Sequence, residues 1–188
     1  KIYFKLIIFF LFCVIWVILL GFGTPILIVS GILFGKWVGT LISVFSISFG
    51  ALILYIIAKF FFDDLVRKVL EKKFSKYVDL FKRNEFIYFF SFRLVGGFGI
   101  PFGLQYILPV IFNIKKINYF FASFFGFVPV FFIMYTIGAV LNTYIAQAEN
   151  FSMVNLIMSK EILFPIILFI IVIMLSSIIR KKVFDDRN

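Results

Sequence analysis

The chain has 188 residues, of which 63% are hydrophobic and 22% aromatic, and its formal net charge is +10. Soluble domains are about half apolar, and uninterrupted apolar runs of about 20 residues are typical of membrane spans, so we expect a polytopic membrane protein. With no histidine and one cysteine, the sequence excludes an intrachain disulfide and a zinc or nucleophilic site built on those residues. The basic residues lie in short stretches between apolar runs, which encodes orientation in a membrane and argues against a nucleic-acid partner.

Four apolar runs are long enough, or nearly so, to be spanning helices. They cover about residues 6–22, 37–58, 117–141 and 162–179. The first, about 17 residues, gives roughly 26 Å of helix, which is marginal for a hydrocarbon core about 30 Å thick. We therefore expect an all-α integral membrane protein in which residues 1–188 form a single membrane domain.

Between the first two runs, residues 24–36 are too short to cross the membrane. About twelve residues give about 18 Å of helix, and Pro25, Gly31 and Gly35 punctuate the segment. We interpret it as a re-entrant hairpin, which enters the membrane and returns to the side it came from. An interfacial turn between two ordinary helices is the alternative.

Residues 62–81 have a different, amphipathic pattern. Apolar residues recur there with helical spacing, whereas the opposite face carries lysines and arginines mixed with carboxylates. This pattern predicts a helix that lies in the headgroup plane and is attracted to anionic lipid. A solvated loop helix that packs on the protein fits the same pattern, so both interpretations stay open.

The stretch 86–114 is apolar enough to enter a bilayer but unsuited to a regular helix. It carries one arginine and several helix-breaking residues: Arg93, Gly96, Gly97, Gly99, Pro101, Gly103 and Pro109. Proline removes a backbone donor and glycine weakens a helix, and broken backbone at membrane depth persists only where it packs inside protein or lines a wet cavity. We therefore expect a second re-entrant hairpin here.

The distribution of charge supports this second hairpin. If 86–114 re-enters, one side holds the 59–85 loop, the lysines at 115–116, the tail and the N-terminus, with sixteen of the nineteen basic residues. The positive-inside rule describes this kind of asymmetry. A full crossing would place 115–116 and the tail on the side opposite the 59–85 loop.

A weak internal sequence similarity indicates an inverted repeat. Ser43 and Ser123, and likewise Tyr55 and Tyr135, recur at a spacing of eighty residues. Two copies of opposite orientation are a common construction for membrane transporters, with the substrate site where the copies meet.

Two motifs carry a family resemblance. The segments at 31–40 (GILFGKWVGT) and 93–102 (RLVGGFGIPF), with Phe120, Gly126, Pro129 and Gly138 downstream, resemble the two halves of the SNARE-associated Golgi protein family. This family is also called the VTT or DedA superfamily, and the match is best to its Golgi Tvp-like bacterial branch. The resemblance covers about residues 20–142. It implies two opposed re-entrant hairpins, a multi-pass location in the bacterial inner membrane, and the movement or scrambling of phospholipids or polyprenyl-phosphate lipids.

By the same resemblance, Arg93 stands at the position of the family's hairpin arginine and Pro101 at its hairpin proline. Gln105 falls where the branch often has asparagine. Members associated with proton coupling carry acidic residues in the first hairpin, and residues 24–36 have none, which puts proton-driven transport in doubt. A second arginine shortly after the first is also missing.

The candidate substrate site is a set of six residues: Arg93, Gly96, Gly97, Gly99, Pro101 and Gln105. A guanidinium matches phosphate oxygens, and the flexible glycine run offers backbone N–H donors. As alternatives, Arg93 snorkels to the interface, and the glycines and the proline only bend the backbone. Gln105 and Tyr106 either line a polar groove or make a packing contact.

The resulting hypothesis is lipid translocation along a groove between the two hairpins, with Arg93 holding a headgroup phosphate. It needs no cofactor and no bond chemistry, so the chain is not expected to be an enzyme. A solute or ion transporter on the same scaffold and a non-transporting membrane scaffold are the alternatives. A homo-oligomer is left open.

Overall fold

A computed structural model of the chain describes residues 2–20, 24–72, 78, 81–94 and 101–146, together with isolated positions between 158 and 174. The described residues form helices joined by short turns, with no strand among them. Their bounds are α1 (Ile2–Ile18), α2 (Thr24–Phe34), α3 (Lys36–Phe61), α4 (Asp63–Val66), a π-helix, π1 (Arg67–Glu71), α5 (Glu85–Leu94), α6 (Phe102–Ile107), α7 (Pro109–Phe112) and α8 (Lys116–Ala146).

Two of these helices are long and apolar enough to cross a membrane. They are α3, with 26 residues, and the Lys116–Gly138 part of α8. Both coincide with expected spanning runs, and α8 continues through Pro129 without ending there. A proline inside a membrane helix is tolerated because neighbouring groups satisfy the freed backbone carbonyl. Most of the last expected run, 162–179, lies outside the described residues.

Helices α3 and α8 pack side by side in opposite directions. Near the start of α3, the hydroxyl of Ser43 hydrogen-bonds the hydroxyl of Tyr135. Near its end, the ring of Tyr55 stacks on the ring of Tyr119 at 4.6 Å between centroids. This antiparallel pair forms the centre of the molecule, and its two ends are called below the Lys36 end and the Lys59 end.

Helix α1 runs in the same direction as α3. The ring of Phe10 packs on those of Phe45 and Phe49, with centroids 6.0 and 6.1 Å apart. One turn later, α1 contacts Gly50, where an added Cβ would lie 3.1 Å from the carbonyl oxygen of Val14. The first turns of α1 therefore lie at the Lys36 end.

This direction differs from the sequence expectation, which treated 6–22 as a full span with the N-terminus on the Lys59 side. Leu20 has a left-handed φ of 59°, and the chain then leads into α2, which ends beside α3. Apolar length alone cannot distinguish a helix that crosses from one that turns back. Residues 24–36, expected to form a hairpin by themselves, contain one continuous helix that stops at Gly35, where φ is 70°.

The start of α5 and the start of α8 meet at the Lys59 end. Glu85 Oε2 accepts hydrogen bonds from the backbone N–H of Lys115 and from the side-chain amide of Asn118, both at 3.0 Å. Beside them, the ammonium group of Lys59 donates to the side chain of Asn113. Residues 85 and 115 therefore lie at the same end of the molecule, as the hairpin interpretation requires of them.

Close backbone contact between α2 and α8 yields a first prediction. A Cβ at Gly31 would lie 2.7 Å from the carbonyl oxygen of Tyr135, so a side chain there forces the two helices apart. We expect Gly31→Ala to lower the free energy of unfolding by about 1–3 kcal/mol, the usual cost of overpacking. Denaturation of the purified protein in detergent measures it.

The matched control is Gly103→Ala, where the added Cβ would meet the side chain of Leu20 at an ordinary 3.5 Å. This variant should be as stable as the parent. Equal stability of Gly31→Ala and Gly103→Ala would contradict the helix contact.

Candidate functional site

Arg93 lies in the last turn of α5 and is buried, with 1% of its surface exposed. It faces α8 at Gly126, where a Cβ would lie only 2.6 Å from the Cβ of Arg93. Because glycine carries no side chain, α8 approaches α5 closely at this point. The arginine is thereby enclosed between two helices, and its burial excludes the snorkelling alternative in this arrangement.

Neutral groups accept the hydrogen bonds of the guanidinium. Nε donates to the hydroxyl of Ser123 at 3.3 Å, and Nη2 donates to the hydroxyl of Tyr119 at 2.9 Å. The Tyr119 hydroxyl in turn donates to the backbone carbonyl of Tyr106 at 3.3 Å. Nη1 is buried and has no hydrogen-bond partner among the described residues.

Four aromatic rings surround the guanidinium, and we call them the aromatic box. The centroids of Phe89, Tyr106 and Phe127 lie 4.8–4.9 Å from Cζ of Arg93, and that of Tyr119 lies 5.7 Å away. Each ring face attracts a cation, by about 2 kcal/mol or more when the pair is desolvated. These four contributions do not add, because the rings surround the same cation. Together they lower the cost of placing an arginine in the membrane, which is about 3 kcal/mol on insertion scales.

No carboxylate neutralises Arg93 within the described part of the chain. The ion pair found there joins Arg67 Nε to Asp63 Oδ2 at 2.8 Å, outside the box. The same residues contain no group of three or more histidines, cysteines, aspartates or glutamates that could hold a metal ion. The site is therefore a buried positive charge whose described neighbours are rings, hydroxyls and backbone.

The other predicted site residues divide into three groups. Gln105 is buried in α6 and directly precedes Tyr106, which belongs to the aromatic box. Pro101 is exposed and precedes the first turn of α6. The glycines at 96, 97 and 99 lie outside the described residues. Substrate contact by any of these residues therefore stays a prediction.

Of the aromatic box, the sequence predicted a role for Tyr106 but not for the other three rings. Phe89 lies four residues before Arg93, and Tyr119, Ser123 and Phe127 follow one another at four-residue intervals along α8. Residues spaced by four share a helix face, so the spacing does predict that the three residues of α8 face the same way. This pattern was hidden because the chain has 31 phenylalanines, and spacing alone does not show which helix faces the arginine.

A second buried polar group, the hydroxyl cluster, lies towards the Lys36 end. Tyr135 of α8 donates to Ser30 of α2 at 2.9 Å and also hydrogen-bonds Ser43 of α3. All three residues are at most 1% exposed. One tyrosine thus joins α2, α3 and α8. At the other end, Tyr55 of α3 donates to the carbonyl of Ile114, between α7 and α8, at 2.6 Å.

The contact between Tyr119 and Arg93 yields the second prediction. Tyr119→Phe keeps the stacked ring but removes the hydroxyl that accepts from Nη2. A hydrogen bond to a charged group contributes about 1.5–3 kcal/mol, so we expect the free energy of unfolding to fall by that amount. The control Tyr3→Phe removes a hydroxyl from a residue that is 77% exposed and should leave stability unchanged. Equal stability of the two variants in detergent denaturation would contradict the hydrogen bond.

Comparison with known protein families assigns the chain. A family model described as the VTT domain matches residues 17–140, more than half of the chain. The matched range contains α2, α3 and α5 to α7 and most of α8, and so both the aromatic box and the hydroxyl cluster. No solved structure matches this chain. The chain therefore belongs to the VTT domain family, the SNARE-associated or DedA family of membrane proteins.

Proposed function

We propose that this protein moves lipid headgroups across the membrane between two opposed re-entrant hairpins, and that Arg93 binds the headgroup phosphate. The observation that supports this function most is the burial of a guanidinium with no carboxylate near it in the described part of the chain. Phospholipids and polyprenyl-phosphate lipids both carry the anionic oxygens that a guanidinium binds.

The argument for an anionic substrate is electrostatic. A buried charge is stabilised by a partner of opposite charge, and here the described partners are rings and hydroxyls. An ionisable residue at membrane depth is a functional-site candidate by default. Nη1 donates no hydrogen bond to any described residue, so it can donate one to a phosphate oxygen.

Internal symmetry supports the paired hairpins. A shift of eighty residues carries Gly39 to position 119 and Tyr55 to position 135. Tyr55 stacks on Tyr119, and the ring of Tyr135 lies so close to Gly39 that an added Cβ would overlap it at 2.3 Å. The two contacts therefore involve equivalent pairs of positions, 55 with 119 and 135 with 39, because α3 and α8 run in opposite directions.

The same shift relates α1 to α5. Helix α1 lies parallel to α3, and α5 lies parallel to α8 with Glu85 beside Lys115. In the first half, α1 begins beside the start of α3, and the chain comes back to that point before α3 begins. In the second half, α5 begins beside the start of α8, and the chain comes back to that point before α8 begins. The reversals also approach each other, since a Cβ at Gly103 would lie 3.5 Å from Leu20. We infer two re-entrant hairpins that face each other from opposite sides of the membrane.

Access of a lipid phosphate to Arg93 requires the aromatic box to open. Tyr106 is carried by α6, a short helix that is separate from α5 and α8, so a shift of α6 uncovers the guanidinium without breaking the α5–α8 contact. Opening loses a cation–π contact and gains a charge-assisted bond to phosphate. Because residues 24–36 carry no carboxylate for proton coupling, we propose that lipid moves down its own gradient in either direction.

The third prediction tests this role. Arg93→Met keeps a long side chain and removes the charge. Since replacing a buried charge by an apolar group of similar volume is often neutral or stabilising, the variant should fold with a melting temperature at least equal to the parent's. Loss of a charge-assisted hydrogen bond of about 1.5–3 kcal/mol should slow lipid exchange about ten- to a hundredfold. Fluorescent-lipid exchange between the leaflets of reconstituted vesicles measures it.

Arg83→Met is the matched control, because Arg83 is exposed and lies outside the box. It should exchange lipid at the parental rate. If Arg93→Met is stable and equally active, Arg93 has no role in transport. If the parent itself gives the rate of protein-free vesicles, lipid exchange is wrong, and gradient-driven anion uptake or partner binding becomes the function to measure.

A further inference from the structure

A run of large apolar side chains is exposed immediately after the spanning helix α3. We call residues 60–72 the interfacial segment. Its apolar residues, each more than half exposed, are Phe60, Phe61, Phe62, Leu65 and Val69. Such a concentration of exposed apolar surface marks a site of contact with protein or membrane. Because α3 reaches the membrane surface at this point, these side chains lie at the level of the headgroups and the upper acyl chains.

Two lysines accompany the apolar residues. Lys68 follows Leu65 by three positions, and Lys72 follows Val69 by three, and both lysines are exposed. Leu65 and Val69 are exposed as well, so the two lysines and the two apolar side chains share the outward surface of the segment. Lysines beside an apolar stripe are typical of helices that lie in the membrane interface, where the stem stays in the apolar layer and the ammonium group reaches the headgroups.

The other face of the segment is held by the protein. Val66 is buried, and Arg67 donates to Asp63 at 2.8 Å and to the backbone carbonyl of Val110 in α7 at 3.5 Å. The segment is thereby fixed against the returning arm of the 85–115 hairpin. These contacts decide which residues face outwards, since Arg67 is engaged inside while Lys68 faces away.

The charge of the Lys59 end favours anionic lipid as the ligand of the interfacial segment. The described residues at this end carry a net positive charge, although the segment itself has three basic and three acidic residues. Eight basic residues outnumber four carboxylates there: Lys59, Arg67, Lys68, Lys72, Lys82, Arg83, Lys115 and Lys116 against Asp63, Asp64, Glu71 and Glu85. An anionic lipid surface attracts each such lysine by about 1 kcal/mol, and neutral lipid does not. A protein partner would have to cover an apolar strip that continues directly from a spanning helix, where lipid is already present.

We propose that the interfacial segment is a binding site for anionic phospholipid, with Leu65 and Val69 among the acyl chains and Lys68 and Lys72 on the headgroup phosphates. It is distinct from the Arg93 site, which lies inside the protein and is not involved. The proposal requires insertion in a membrane but not lipid exchange, so it stands or fails separately from the proposed function.

The fourth prediction uses a tryptophan reporter at this segment. The chain has two tryptophans, which are removed by Trp16→Phe and Trp37→Phe before Leu65→Trp is introduced. The full chain is placed in phosphatidylcholine nanodiscs that contain a minor fraction of brominated phosphatidylglycerol or, separately, brominated phosphatidylcholine. We expect the anionic quencher to be about threefold more effective than the neutral one, and high salt to reduce this preference.

Three further variants make the test specific. Leu41→Trp, at an exposed position of α3 near the Lys36 end, should be quenched equally by both lipids. Lys68→Gln/Lys72→Gln should abolish the preference at Leu65→Trp, whereas Lys115→Gln/Lys116→Gln, which removes the same charge from the same end but not from the segment, should lower it less. Equal quenching by the two lipids, no quenching at all, or equal effects of the two lysine pairs would each overturn the binding site.

Discussion

The packing of α5 on α8 around one buried guanidinium is the constraint on which the rest of the structure depends. Arg93 can be enclosed only because Gly126 gives it room, because Ser123 and Tyr119 accept its hydrogen bonds, and because the aromatic box covers its faces. A lipid-exposed arginine would instead extend to the interface. Because the described residues supply no carboxylate to neutralise this charge, its burial opposes stability, and this supports the role proposed for Arg93.

The two buried polar centres differ in charge and in the helices that they join. The hydroxyl cluster around Tyr135 joins α2, α3 and α8 with neutral groups, whereas the Arg93 site joins α5 and α8 through a charge. Under the eighty-residue shift, Arg93 corresponds to Cys13, which is buried in α1. The described residues thus place a charged centre in the second half of the chain and a neutral one at the other end, and the headgroup binding proposed above belongs to the charged centre.

Much of the architecture could be predicted from the sequence, because spanning helices are fixed by apolar length. The runs 37–58 and 117–141 coincide with the two candidate spanning helices to within a few residues. The breaks in the 86–114 stretch predicted a re-entrant hairpin, with which the contact between Glu85 and Lys115 agrees. The direction of α1 could not be predicted, since about 17 apolar residues fit a marginal span as well as an arm that turns back. Moving Lys1 and Lys5 to the other side leaves fourteen of the nineteen basic residues where the charge argument placed them, so charge did not decide the question.

For the site, sequence identified the arginine but not its surroundings. An isolated charge in an apolar stretch stands out, whereas its four aromatic partners come from α5, α6 and α8 and are lost among many phenylalanines. The hydrogen bonds depend on helix rotation and on close approach at Gly126, which are tertiary properties. The family resemblance recovered the position of Arg93 but no contact that holds it.

The most direct test of the account is the sidedness of the chain around the second hairpin. Single cysteines introduced by Asn84→Cys, Lys116→Cys or Lys36→Cys, each in a Cys13→Ala background, are labelled with an impermeant maleimide in sealed vesicles of known orientation. The account predicts that positions 84 and 116 react from one compartment and position 36 from the other. Reaction of positions 84 and 116 from opposite compartments would contradict it, because the chain would then cross the membrane at Arg93 instead of turning back.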